Sequence, residues 1–210
     1  MPIRIFEVTH PFDLGRNVIS GFQWSHTSRF FRSDPHAGAG LTQGAFYKQF
    51  ASTEDLAAQA SRRALESASS RWSAAAAANP KDPLGAVMAF YLSKDHREEK
   101  MDGCPIVALG SDAARQGSDV RASFEAGVVA YLDVLSRMVA EADGKPSKGK
   151  AMAILSTMVG ALMLSRVVND PNLAQAILDA AIHQVRDAAA ARKDGRRRRP
   201  GALHRPRSSK

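Results

Sequence analysis

An alanine-rich pattern with helical spacing between Leu56 and Ala191 limits what this chain can fold into more than any other feature. Apolar residues recur through it at intervals of three and four, and breaks such as Asn79-Pro80 and Asp170-Pro171 divide it into segments. No segment gives a convincing strand pattern. The sequence therefore predicts an all-α fold with about seven helices after residue 40.

Caps and breaks set the expected boundaries of these helices. Ser52 has the character of an N-cap, Asp82-Pro83 starts a helix after the break at Asn79-Pro80, and Pro105 can stand in a first turn because its missing N–H is harmless there. A polar loop is expected over 93–102 and a flexible connector over 144–149. The helices predicted in this way span about 52–78, 83–92, 103–116, 118–142, 148–168 and 171–191, and Ser118 is expected to cap the fourth of them.

Residues 39–56 have the pattern of a short helix, a turn and the capped start of a longer helix. Thr42 is a preferred N-cap residue, and Gly44 keeps the first turn slim enough to approach a nucleic-acid surface. Phe46 and Phe50 are four residues apart, so they lie on one face and can anchor the short helix to a core. The alternative to a nucleic-acid-binding segment is an ordinary helix-loop-helix with two core phenylalanines.

Polar side chains project from the other faces of this short helix, and an N-cap follows it. These projecting side chains belong to Gln43, Tyr47 and Lys48. Ser52 and Asp55 have the spacing of a capping box with a shorter acid than usual, so the next helix is expected to start there.

At these residues the chain resembles the TetR family of transcriptional regulators, and the matching positions are Gly40, Leu41, Thr42, Gly44, Phe46, Tyr47, Phe50, Glu54 and Leu56. The resemblance implies an N-terminal helix-turn-helix that binds double-stranded operator DNA, followed by a helical ligand-binding and dimerisation domain. Two positions depart from the family pattern, because Gln49 replaces the usual histidine or tyrosine and Thr53 replaces a phosphate-binding lysine. The residues implied to bind DNA are Thr42, Gln43, Gly44, Tyr47, Lys48, Ser52 and Thr53.

The resemblance also implies that the last two helices form a four-helix interface with a second subunit. Helix 148–168 is too apolar for a solvated helix, and Gly160 next to Ala161 allows close helix approach. The alternative is a buried central helix of a monomer. The expected interface residues of the homodimer are Leu155, Met158, Leu162, Met163, Ile177 and Ala181.

Large or soft side chains on the body helices predict a pocket for a small-molecule effector of apolar or aromatic character. Ordinary core packing is the alternative at each position. A ligand bound there would move the long helix that begins at Ser52 and so change the separation of two recognition helices. The candidate pocket residues are Trp72, Met88, Tyr91, Cys104, Phe124, Tyr131 and Met158.

Residues 1–38 differ from the rest of the chain, with six aromatic residues and one alanine, Ala37. The family would supply two helices here, but prolines and glycines interrupt the segment and its aromatics follow no helical period. The expectation is a poorly ordered or irregular segment and weak operator binding. The alternative function is therefore a dimeric helical ligand-binding or interaction protein that has lost specific DNA binding.

The net charge of +8 belongs to a tail. Residues 192–210 carry nine Arg or Lys and one Asp, while the remainder has 20 basic and 20 acidic residues. Such a tail cannot bury a core and is expected to be disordered, either adding non-specific phosphate contacts or remaining passive. The domains are accordingly 1–38, a helix-turn-helix remnant at 39–56, the helical body at 57–191 and the tail.

The sequence gives little support for disulfide bonding, metal binding, secretion or catalysis. A single cysteine excludes a disulfide framework and a zinc-finger ligand set, and the N-terminus lacks a secretory signal, so a cytoplasmic protein without a membrane span is expected. Cys104 lies near the N-terminus of a predicted helix and is either a redox or electrophile sensor or simply packed. The chain shows no catalytic constellation, and His96 with its acidic neighbours is expected to form a solvated hinge. No enzyme activity, metal or cofactor is predicted.

Overall fold

Seven α-helices make up most of the part of the chain that the computed structural model describes, which is residues 47–48, 50–99, 103–139 and 145–190. No strand occurs in these ranges, so the all-α prediction is confirmed. The expectations for 1–38 and 192–210 fall outside the described residues. The helices are α1 (Thr53–Ala78), α2 (Pro83–Tyr91), α3 (Lys94–Glu98), α4 (Pro105–Ala113), α5 (Ser118–Met138), α6 (Lys148–Val167) and α7 (Pro171–Ala190).

The start of α1 has the predicted capping box. The Asp55 amide donates a hydrogen bond to the Ser52 hydroxyl at 3.0 Å, and the Ala51 amide donates to the Asp55 carboxylate at 3.0 Å. The Gln59 amide group donates to the other oxygen of the same carboxylate at 3.0 Å. The hydrogen bonds from Gln59 and then from Ala51 lower the pKa of Asp55. The helix therefore begins at a fixed residue, directly after the segment that resembles a DNA-binding turn.

The core lies where α1 packs along α5 and α2, and where α6 packs along α5 and α7. Gly127 of α5 sits directly against Leu65 of α1. A Cβ atom at Gly127 would lie 2.7 Å from the Leu65 Cδ1 atom and 2.8 Å from its Cβ atom. The close approach of these two helices therefore depends on the missing side chain.

One segment predicted as a loop is a helix. Within 93–102 the chain forms α3, because Ser93 caps it by accepting a hydrogen bond from the His96 amide at 3.0 Å. Its last carbonyl groups are bound by Arg166, a residue far away in the sequence. The prediction of a loop was wrong because the hydrogen bonds at the end of this helix come from Arg166 of α6, which is distant in the sequence.

Two helix ends also differ from the predicted ones. α4 ends at Ala113 and not near Gln116, because Arg115 and Gln116 turn back through hydrogen bonds to the carbonyls of Asp112 and Ala113. Gly117, and not Ser118, is the N-cap of α5, and the Ser118 hydroxyl donates instead to the carboxylate of the next residue. α5 ends at Met138, several residues before the predicted end near Ala142.

Helix α6 is long and apolar enough to cross a membrane, by length and composition alone. Ile154, Met158 and Leu162 are nevertheless buried against the neighbouring helices α5 and α7. This packing agrees with the prediction of a helix inside a folded body. One face of α6 remains exposed, and it is apolar.

Candidate functional site

The seven predicted pocket residues all lie in one buried cluster. They come from five helices or their caps, which converge on the centre of the body. The structure therefore brings the predicted set together, and burial by itself is also what ordinary packing gives. The members are Trp72 of α1, Met88 and Tyr91 of α2, Cys104 before α4, Phe124 and Tyr131 of α5, and Met158 of α6.

Three aromatic rings form the middle of this cluster. The rings of Trp72 and Tyr91 meet edge to face, with centroids 5.0 Å apart and planes at 81°. The rings of Trp72 and Tyr131 are tilted at 58°, with centroids 4.5 Å apart. These are favourable aromatic geometries, so Trp72 ties α2 and α5 to α1.

Polar atoms in the same place lack hydrogen-bond partners within the described residues. They are the hydroxyl oxygens of Tyr91 and Tyr131 and the Nε atom of Arg71. An unpartnered buried polar group costs roughly 1–3 kcal/mol. Burial raises the pKa of both tyrosines, and the adjacent Cys104 thiol raises it further. Polar atoms therefore lie within this hydrophobic cluster, whereas the sequence predicted an effector of apolar or aromatic character.

Cys104 is the N-cap residue of α4, and its side chain makes no capping hydrogen bond. The thiol is free and only 2% exposed. This burial agrees with the packing interpretation, while a sensor role stays a prediction. No group of three or more His, Cys, Asp or Glu side chains in the described ranges could hold a metal ion.

Arg166 near the end of α6 was missed as a functional residue. Its Nε atom donates to the Arg97 carbonyl at 3.0 Å, and its Nη2 atom donates to the carbonyls of His96 at 2.7 Å and Glu99 at 2.9 Å. Burial lowers the pKa of this guanidinium group. A charged residue within the apolar run 151–168 was the signal available in the sequence, but its partners, 67 to 70 residues away, were not readable.

His96 is buried at 8% exposure, so the prediction of a solvated hinge was wrong. Its Nδ1 atom lies 2.7 Å from the Tyr91 carbonyl oxygen, and donation of a proton to that oxygen fixes the neutral tautomer. The ring stacks on Phe90, with centroids 5.5 Å apart and planes at 20°. Burial lowers the pKa of His96, and the positive charges of Arg166 and Arg71 act in the same direction.

We expect this histidine to make the fold less stable in acid. Because its pKa is lowered in the folded chain, its contribution is complete above the ordinary value of about 6.5 and is lost as pH falls through the lowered pKa. Thermal unfolding between pH 7.5 and 5 measures the effect. His96→Asn keeps a donor for the Tyr91 carbonyl and should flatten the profile, whereas an equally steep profile in this variant would contradict the assignment.

The described part of the predicted DNA-binding set lies on one side of the body. Tyr47 and Lys48 are helical and exposed, Tyr47 by 54%, while Ser52 caps α1 and Thr53 is its first residue. Thr42, Gln43 and Gly44 lie outside the described residues. An open cleft of about 610 Å³ separates this segment from the turn before α5, and its lining residues are Tyr47, Ala51, Ser52, Thr53, Glu54, Arg115, Gln116 and Gly117.

Most of the predicted interface residues face the interior of their own protomer. Leu155, Met158, Leu162 and Ala181 are buried in the core, so their side chains are not offered to a partner. Met163 is exposed and Ile177 is partly exposed. The surface face that contains them is apolar and includes Met152, Met163, Leu164, Val167 and Leu173.

No protein-family model matches this chain, and no curated protein matches it. Among solved structures, the fold is similar to that of NemR from E. coli in its reduced form. The two chains are 18% identical with a TM-score of 0.66, and the match covers 85% of this chain and 98% of that chain. The likeness shows the fold, which is all-α.

Proposed function

We propose that this chain is a ligand-responsive transcriptional regulator of the TetR type, a repressor that a small molecule releases from its operator. One observation carries the proposal: a single unbroken helix, α1, joins the DNA-binding segment to the buried aromatic cluster. From Ser52 to Trp72 it rises about 30 Å at 1.5 Å per residue. A displacement at Trp72 is therefore transmitted to the helix start by a rigid element.

The mechanism is a shift between two arrangements of the body helices. A ligand that enters the cluster must separate Trp72 from Tyr91 or Tyr131, and this tilts α1 against α2 and α5. The tilt moves Ser52 and the recognition helix before it. Ligand and operator then bind in opposition, each weakening the other by the same factor.

The exposed apolar face of α6 and α7 supports a homodimer. Large apolar side chains grouped on one surface indicate an interaction site. A two-fold dimer formed through this face would present two recognition segments to successive turns of DNA, which matches a palindromic operator.

Selection of binding sites from a random DNA pool with the purified full chain tests the function. We expect a two-fold symmetric sequence to be enriched. On that sequence, Lys48→Ala should lower affinity and reduce the salt dependence by about one charge, and Tyr47→Phe should weaken binding about equally on all sequences. Lys81→Ala is the matched control, because Lys81 is exposed in the turn before α2 and far from the DNA-binding segment along the chain.

Failure of the selection would favour the alternative, a dimeric ligand-binding or interaction protein without specific DNA binding. In that case no sequence is enriched, and the Tyr47 and Lys48 variants bind random DNA like wild type. This result would overturn the repressor and leave the helical body and its ligand site unaffected.

A further inference from the structure

The buried polar atoms at the centre of the body have a common chemistry. The Nε–H group of Arg71 and the hydroxyl groups of Tyr91 and Tyr131 are hydrogen-bond donors without partners in the described residues. Three unpartnered donors in one core are unusual, since most buried polar side-chain atoms are hydrogen-bonded. The Cys104 side chain interacts with both hydroxyl groups, and sulfur is only a weak hydrogen-bond acceptor, so the two tyrosines lack a strong acceptor in the described residues.

The three donors also share one place. Tyr91 and Tyr131 both pack against the Trp72 ring, and Arg71 precedes Trp72 in α1. The Cys104 thiol acts on both hydroxyl groups, so it lies beside the pair. A small group placed beside Cys104 would meet the hydroxyl groups of α2 and α5, with the Arg71 guanidinium group of α1 near enough to act on Tyr131.

The charge at this place is positive. The guanidinium group of Arg166 acts on Tyr91, and that of Arg71 acts on Tyr131. The acid that acts on Arg166 is Glu99, which is exposed at the surface. Donors flanked by positive charge and rings suit an anionic oxygen acceptor on an apolar or aromatic frame.

We propose that this cluster binds the carboxylate of a small aromatic or apolar acid, with the Tyr91 and Tyr131 hydroxyls donating to its oxygens and Arg71 balancing its charge. The proposal rests on the proposed function, because it names the chemical class of the effector. It also changes the expectation drawn from the sequence, which was an effector of apolar or aromatic character. The acid's ring or chain would replace part of the packing around Trp72.

Three probes of similar shape separate the contributions of charge, acceptor and apolar surface: benzoate, benzamide and toluene. In a Trp24→Phe background, Trp72 is the one tryptophan left and reports directly on the cluster. We expect benzoate to change Trp72 fluorescence and raise the midpoint of thermal unfolding, with benzamide weaker and toluene weaker still. Equal responses to all three probes would overturn the proposal.

Removing the hydroxyl groups provides the second test. Tyr91→Phe and Tyr131→Phe keep the rings against Trp72, and without probe they should unfold at the same temperature as wild type or higher, because each loses an unpartnered polar atom. Each should weaken benzoate binding by roughly tenfold or more. A double variant that binds benzoate as wild type does would overturn the proposal.

The Cys104→Ala variant tests whether the two tyrosine hydroxyl groups serve a ligand or the Cys104 thiol. The carboxylate site predicts that benzoate still binds within a few-fold of wild type. Loss of the response in this variant, with a normal unfolding midpoint, would mean that the hydroxyls serve the sulfur, and the proposal would be overturned.

The experiment also distinguishes failure of this site from failure of the proposed function, since probe binding is measured without DNA. Benzoate binding that leaves affinity for the selected DNA unchanged would support the site and overturn the repressor. Release of that DNA by toluene as effectively as by benzoate would support the repressor and overturn the carboxylate site.

Discussion

Trp72→Ala is expected to lower the free energy of unfolding by about 3–5 kcal/mol. The side chain is 1% exposed and joins three helices through its contacts with Tyr91 and Tyr131. Its removal leaves a cavity that the two tyrosines cannot fill without moving α2 or α5. Urea unfolding followed by circular dichroism measures the loss.

Trp72→Phe is the matched control for this prediction. Phenylalanine retains an aromatic ring between the two tyrosines, so a distinctly smaller loss is expected. If the alanine variant is as stable as wild type, or if the phenylalanine variant loses as much as alanine does, Trp72 is not the centre of the fold.

If the proposed homodimer forms through the exposed face of α6, Gly160→Glu is expected to weaken subunit association by roughly 100-fold or more while leaving the protomer folded. A Cβ atom at Gly160 meets no atom within 4 Å in the protomer, so the side chain has room, and glutamate is a better helix former than glycine. Met163, Leu164 and Val167 lie three, four and seven residues further along, on the same face. An uncompensated carboxylate buried between two such faces is strongly unfavourable.

Sedimentation across a range of protein concentrations measures this effect, with thermal unfolding as the check on folding. Gly149→Glu is the control, because Gly149 is on the same helix, also has open space and lies in the first turn, where an acid is favourable. Wild-type association in the Gly160 variant would show that this face is not the subunit interface.

Local signals predicted the helices well wherever the residues that start and stop an element are neighbours in the chain. Ser52 with Asp55, Asp82 with Gly85, and the break at Asp170-Pro171 act within a few residues, and the boundaries of α1, α2, α6 and α7 follow from them. The burial of the seven predicted pocket residues in one cluster was also predictable, because large residues on helices around one core converge there whatever their exact packing, and their role as a ligand pocket stays a prediction.

Contacts distant in sequence were not predictable. Nothing near residues 93–102 shows that Arg166 will bind the carbonyls of His96, Arg97 and Glu99, so a polar stretch looked like a loop. The unpartnered state of Tyr91 was equally invisible, because composition does not show where a hydroxyl group points.

The direction in which α6 faces could not be read from its sequence either. Its residues are apolar on most sides, so periodicity shows that the helix is largely buried but not which side meets its own core. Leu155, Met158 and Leu162 turned out to face inward and Met163 outward. Such an assignment needs the neighbouring helices, α5 and α7.

In the proposed homodimer, the three hydrogen bonds of Arg166 would link the stability of one subunit to the presence of the other. Val167, the next residue, is 68% exposed on the apolar face, so one turn of α6 holds both the hydrogen bonds to residues 96–99 and an exposed apolar side chain. Residues 96–99 cannot move unless this turn of α6 moves with them or the hydrogen bonds of Arg166 break. With a partner on that face, dilution of the protein would separate the subunits and weaken the hydrogen bonds of Arg166. Ligand affinity would then depend on protein concentration.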